Sequence, residues 1–219
     1  PGIQDFHNMN WSASNPMLTG LYYRCYYQIT LANDFIRQSA DANVASKGIT
    51  GVDAEAIKKY RAEARFLRAY QYSILMDLFG KAPFITENDP LNFKGPQYDR
   101  AQLFAFIESE MLEILPSLKP ARTNEYGRLD QAFAKMVLAK IYLNAEVYVG
   151  QNRYADCMTQ CADVIGSGYT LNPDYLNNFK ADNHTSGEKP TIKMFSPGDL
   201  RWLFLKAAKN VDFELKPTS

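Results

Sequence analysis

Ala62-Glu63-Ala64-Arg65-Phe66-Leu67-Arg68-Ala69-Tyr70, running on to Asp77-Leu78-Phe79-Gly80 and Pro83-Phe84, is the stretch that decides the fold. Ile57, Tyr60, Ala64, Leu67, Tyr70, Ile74 and Leu78 recur at three- and four-residue steps, which puts them on one face of an amphipathic helix. Asp53 has the chemistry of an N-cap, Gly80 supplies a left-handed stop, and Pro83 keeps the helix from resuming. The spacing therefore predicts a long helix from Asp53 to Gly80.

Upstream, Asn15-Pro16 is an N-cap followed by proline at the first helical position. Leu18, Leu21, Tyr22, Cys25, Tyr26, Ile29, Ala32, Phe35 and Ile36 then carry the helical period until Ser46 to Gly51 breaks it. Downstream, Pro83 to Gln97 is rich in Pro, Asn, Asp and Gly and reads as a long surface loop. Asp99 and Gln102 have capping-box spacing, and Leu103 to Leu115 give a third helix that Pro116 or Pro120 ends. Asp130 caps a fourth helix and Asn152 a fifth, with Gly150 between them and Gly166-Ser167-Gly168 at the end. No period-two strand pattern precedes the C-terminal tail. The layout is mainly α, with helical hairpins and long irregular loops. Ala62, Phe66 and Tyr70 return as Ala134, Leu138 and Tyr142, which fits a hairpin repeat, though a plain helix bundle has the same spacing.

The 219 residues suit one large domain or two small ones. Lys plus Arg and Asp plus Glu are 24 each, so no general attraction to nucleic acid or anionic lipid is expected. Cys25, Cys157 and Cys161 are odd in number and form no disulfide framework. No apolar run reaches the length needed to span a bilayer. The start at Pro1-Gly2-Ile3, without Met, suggests a processed or truncated product.

Few residue groups carry chemistry. Cys157 and Cys161 share a helical face, but a closed zinc site needs about four ligands, and both fall on the apolar stripe with Met158 and Ile165; they read as core thiols, with no metal or cofactor assigned. Lys58, Arg61, Arg65 and Arg68 form a basic ridge beside Glu55 and Glu63, read as a solvated or salt-bridged face. Glu108, Glu110 and Glu113 lie on the polar side of the third helix, with no acid-base partner in sight. The informative cluster is Asn8, Asn10, Trp11 and Asn15, in an irregular segment before the first long helix. An indole face stacks on a sugar ring while amides bond its hydroxyls, so these four are the candidate ligand-binding residues; Trp11 folded onto the scaffold is the alternative.

The 62–84 segment resembles the hallmark segment of the SusD/RagB nutrient-binding lipoproteins. Tyr26, Ile29, Ala32 and Asn33 resemble the family's preceding helix, and Leu115-Pro116 the end of the next. Gly127-Arg128, Leu138 to Leu143, Tyr154, Val164-Ile165, Gly168-Tyr169 and Leu171 resemble its second helical-hairpin region. The resemblance covers Leu18 to Glu188 and implies a tetratricopeptide-like scaffold. It further implies a non-enzymatic protein, lipid-anchored on the outer membrane of a Bacteroidota-like bacterium by an anchor not present in this chain. Such a protein captures oligosaccharides or peptides and caps a SusC-like TonB-dependent transporter. On this basis residues 1–188 are a partial SusD-like domain and Lys189 to Ser219, with Leu200-Arg201-Trp202, an unassigned tail. A tetratricopeptide-like adaptor for another protein and a hydrolase with its acids in the tail are the rival classes.

Overall fold

A computed structural model of the chain describes residues 2–90, 92–125, 127–169, 174 and 176. Leu171, Glu188, the boundary after it and the tail Lys189 to Ser219 lie outside the described residues. The elements run α1 Ile3–His7, α2 Pro16–Gln38, α3 Asp41–Ser46, α4 Gly51–Phe79, β1 Ala82–Pro83, β2 Gln97–Tyr98, α5 Arg100–Ile114, a 3-10 turn Leu115–Ser117, α6 Gln131–Leu143, α7 Ala145–Val149 and α8 Tyr154–Gly166. The architecture is mainly α and of the tetratricopeptide-like kind. The chain divides into two units.

The first unit takes the described residues up to Ser117 together with Leu143–Arg153. Helix α2 packs on α4, and α4 on α5. Cys25, Ile29, Ala32 and Ile36 of α2 are buried, as are Phe66, Ala69, Tyr72, Leu75 and Met76 of α4 and Leu103, Ile107, Met111 and Ile114 of α5. The local signals at the helix ends hold. Asn15 Oδ1 accepts from the amides of Met17 and Leu18, Asp99 and Gln102 close a capping box, and Gly80 ends α4 at φ 73°.

Three expectations need correction here. Helix α4 starts at Gly51 rather than at Asp53; Thr50 precedes it in extended backbone without a side-chain cap, and Asp53 falls in the first turn, where its charge suits the helix dipole. The predicted stripe also leaves the core: Ile74 is half-buried and Leu78 is 56% exposed, while Leu75 and Met76 are sealed. That stripe steps at about 3.5 residues, and a straight helix drifts by about 20° per heptad against such a repeat. Finally, α2 stops at Gln38. The Ser39 hydroxyl donates to the Ile36 carbonyl (3.2 Å), Ala40 turns the chain, and α3 fills the stretch to Ser46.

The segment after Pro83 is a strap rather than a free loop. Residues 82–83 pair antiparallel with 97–98, and α2 and α4 hold what lies between. The Tyr26 hydroxyl donates to the Pro83 carbonyl (2.8 Å), Asn33 Nδ2 to Ile85 (3.3 Å), and Arg37 to the carbonyls of Glu87 (2.9 Å) and Asp89 (3.2 Å). The Tyr72 hydroxyl donates to the Ile85 carbonyl and accepts from the Ile85 amide, both at 2.9 Å. Gly95 permits the close return, since a Cβ there would sit 1.9 Å from the Phe84 carbonyl oxygen.

The basic ridge divides by depth. Lys58 meets Glu55 in solvent, and Arg61 bonds Asp41 and the Ser39 carbonyl. Arg65 grips Glu110 with Nε (3.0 Å) and Nη2 (2.7 Å) while reaching Glu113. Arg68 is buried, bonded to Glu110 (2.6 Å), Asn33 (2.9 Å) and Glu87. Glu110 is thus a core residue and not part of a solvated polar side.

The second unit holds the described residues of Leu118–Tyr142 and those from Tyr154 onward. Asp130 caps α6 as expected: Oδ1 accepts from the Phe133 amide (3.0 Å), and Oδ2 accepts from the Arg122 amide and the Tyr169 hydroxyl, each at 3.0 Å. Phe133, Val137, Leu138 and Ile141 are buried. Helix α8 starts at Tyr154, two residues beyond Asn152. The core assignment of its cysteines is overturned. Cys157 and Cys161 are half-buried, Met158 is 72% and Ile165 76% exposed, and Val164 alone of the α8 residues is buried. Amphipathic spacing names a face but not whether a neighbour covers it.

Candidate ligand-binding site

The site forms where the N-terminal segment folds back on the start of α2. Asn15 makes the closure. Its Nδ2 donates to the Gly2 carbonyl (3.0 Å) and to Asp5 Oδ2 (2.7 Å) while its Oδ1 caps α2. The side chain is 2% exposed, so every polar atom of this amide is used inside the protein. The stretch between is therefore a closed loop with fixed ends. It is stiffened by bonds from the Met9 amide to Phe6 (3.2 Å) and from the Asn10 amide to Asp5 (2.9 Å), and Met9 takes a left-handed φ of 51°.

Trp11 projects from this loop, 49% exposed, with its ring 5.5 Å from that of Phe6 at 30°. Together they form one wall of a cleft of about 730 Å³, within the range usual for small-molecule sites. Tyr22 and Tyr23 of α2 and Phe79 at the end of α4 add further aromatic surface, with Ser12 and Thr19 as hydroxyl groups. Leu78, which the sequence stripe placed in the core, lines the cleft instead.

The aromatic wall is braced from behind. Tyr22 meets Phe79 edge-on at 5.3 Å and Tyr26 at 4.9 Å. Burial, helped by Tyr22, raises the Tyr26 phenol well above the ordinary tyrosine value, so its hydroxyl keeps its proton and its bond to Pro83. This arrangement can stack planar or ring-shaped ligands on fixed aromatic faces and offer hydroxyls at the edges.

The four residues singled out in the sequence are not all brought together. Trp11 lines the cleft. Asn8 ends α1, and Asn10 follows it in the loop, both exposed and neither lining the cleft; Asn15 is the buried clamp. Sequence spacing missed Phe6, Tyr22, Tyr23 and Phe79: Tyr22 sits in the helical stripe and looks like core, while Phe6, Tyr23 and Phe79 lie outside the stripes and are brought to the cleft by tertiary packing. The repeated pair in Tyr22-Tyr23-Arg24-Cys25-Tyr26-Tyr27 was the signal available. Among the described residues no group of three or more His, Cys, Asp or Glu side chains could hold a metal ion, and no helix is long and apolar enough to cross a membrane.

The chain belongs to the SusD-like family: the family model described as "Starch-binding associating with outer membrane" matches residues 3–143. The chain is 38% identical over 184 residues to the starch-binding protein SusD of Bacteroides thetaiotaomicron, an alignment covering 83% of this chain and 31% of that protein. It thus spans about a third of the length of that curated relative. Among solved structures it is similar to surface glycan-binding protein A from Bacteroides uniformis, with a TM-score of 0.67 and 27% identity over 84% of this chain and 39% of the other. A laminarin binding SusD-like protein shares the fold at a TM-score of 0.70 and 23% identity, over 85% of this chain and 39% of that one.

Proposed function

We propose that this chain is part of a non-catalytic cell-surface protein that binds oligosaccharide nutrients at the outer membrane for uptake through a SusC-like TonB-dependent transporter. The observation that carries this is the half-exposed Trp11 on a cleft of braced aromatic rings, in a chain of a family described as starch-binding. Residues 1–188 form the SusD-like portion. Trp11 stacks on a sugar ring, Asn8 and Asn10 bond hydroxyls of a ligand that extends past the cleft mouth, and Asn15 acts by fixing the loop. In this reading binding is the whole activity, and the described lining of the cleft, with its aromatic rings and the hydroxyls of Ser12 and Thr19, positions a glycan.

The test is calorimetric titration of wild type and Trp11→Ala with a panel of α- and β-glucan oligosaccharides. Loss of the indole should weaken a recognised ligand by about 1 to 3 kcal/mol while thermal melting stays nearly unchanged. Equal affinities would remove Trp11 from the site. Release of shortened glycan on incubation with the protein would overturn the non-catalytic assignment.

A further inference from the structure

Helix α8 carries three sulfur atoms within little more than one turn. Cys157 and Cys161 are half-buried free thiols four residues apart, and Met158 stands beside them, 72% exposed. Seen down the helix axis, at about 100° per residue, Cys161 lies between the other two, about 40° from Cys157 and about 60° from Met158. Burial, and then a hydrogen bond between the two thiols, raise Cys157 above the ordinary thiol value, so the two sulfurs are within reach of each other. Gln160 lies on the same face, and its Oε1 is buried without a hydrogen-bond donor. The surroundings of the thiols are therefore rich in electron-pair donors.

Two common fates of a cysteine pair do not suit this one. Residues four apart on a helix hold their Cβ atoms about 5 to 6 Å apart, against about 3.5 to 4.5 Å in a disulfide. The pair therefore stays reduced while α8 stays helical. A closed zinc site needs about four donors, and among the described residues no group of three or more His, Cys, Asp or Glu side chains could supply them.

A monovalent copper ion asks for less. It is soft, and thiolate and thioether sulfur are the donors that select it. Two metal–thiolate bonds of about 2.3 Å, the length zinc makes to sulfur, span about 4.6 Å in line, which side chains one turn apart reach by rotation about χ1. Methionine is unbranched and flexible, so an exposed Met158 can turn its sulfur over Cys161 as a further donor.

We infer that Cys157, Met158 and Cys161 form a soft-sulfur site on α8 that takes one monovalent copper ion, with the two thiolates as principal ligands and the thioether as the third. Binding sends the proton of each thiol to solvent, changes no oxidation state, and leaves the complex with one negative charge. Zinc, which gains little from a thioether, is excluded by the same donor set.

The full 219-residue chain, reduced and kept free of oxygen, should be titrated with Cu(I) against the chelator bathocuproine disulfonate. Wild type and Cys25→Ser are expected to withdraw one equivalent from the chelator. Cys157→Ser and Cys161→Ser are expected to lose that equivalent, Met158→Leu to hold it with lower affinity, and wild type to retain no equivalent of Zn(II) after gel filtration. X-ray absorption at the copper edge of the loaded wild type, which depends on no variant, is expected to show sulfur donors only. Full retention of copper in either serine variant, an unchanged affinity in Met158→Leu, stoichiometric zinc, or nitrogen or oxygen donors at the copper would each overturn the site. So would a serine variant that loses copper and melts well below wild type while the absorption spectrum lacks a three-sulfur shell.

Discussion

Nη2 of Arg68 on α4 lies 2.6 Å from Oε1 of Glu110 on α5, and both side chains are almost wholly removed from water, at 3% and 7% exposure. Arg65 adds two bonds to the same carboxylate, and Asn33 and Glu87 take the other side of Arg68. One guanidinium thereby joins α2, α4, α5 and the strap that follows α4.

Truncating Glu110 takes away the buried carboxylate that Arg65 and Arg68 share and leaves Arg68 with Glu87 alone, and breaking a buried pair costs far more than the pair contributes relative to apolar groups of the same size. Glu110→Ala should therefore destabilise the fold by about 3 to 5 kcal/mol in chemical denaturation. The double variant Arg68→Met, Glu110→Leu should recover much of that loss. An unchanged midpoint for Glu110→Ala would mean that water reaches the cluster.

Glu87 gives this network a pH dependence. Burial pushes its carboxyl up, but the hydrogen bond and charge of Arg68, with a backbone bond, outweigh burial and hold it below the usual glutamate value. A depressed folded-state value contributes stability that is fully present above the unfolded value of about 4.3 and is lost as pH falls through the folded one. The stability gap between wild type and Glu87→Gln should stay level from neutral pH down to about 5 and close at lower pH. A gap that widens on acidification would reverse the sign of the coupling.

Leu67 and Leu78 separate the two faces of α4. Leu67 is buried, and Leu67→Ala should cost about 2 to 4 kcal/mol because truncation leaves a cavity. Leu78, exposed in the cleft wall, should cost about 0.5 kcal/mol or less on the same change. Urea melts of the two variants give the comparison directly, and equal losses would show that the core extends to the end of the helix.

The three thiols should differ in reactivity. Cys25 is 1% exposed, and burial pushes its thiol up to about 11, so little thiolate exists at neutral pH. Cys157 and Cys161 are half-buried on α8; burial and then the neighbouring Cys161 raise Cys157 as well. An aromatic disulfide reagent added to the native protein should label Cys157 and Cys161 slowly and Cys25 only after denaturant. Equal labelling of all three before unfolding would contradict the buried position of Cys25.

Local chemistry alone determined much of this molecule. Asn15 before Pro16, the Asp99–Gln102 box, Asp130 and the left-handed Gly80 act within a few residues of themselves, so the sequence locates the helices they bound, and the 62–84 segment resembles the family to which the chain belongs. What the tertiary structure decided is which side of each helix is covered, since a hydrophobic period names a face without naming its neighbour. Arg68 is spaced like its solvated neighbours, yet Glu110 and Asn33 draw it inside. Leu78, Met158 and Ile165 have core spacing but face solvent. Trp11 stood out in the sequence by its chemistry, but the cleft it lines did not: Asn15 ties the chain back onto Gly2 and Asp5, and Phe6 and Trp11 share that cleft with Tyr22, Tyr23 and Phe79. Bringing rings from three separate segments to one surface is the work of long-range packing, and no spacing along the chain encodes it.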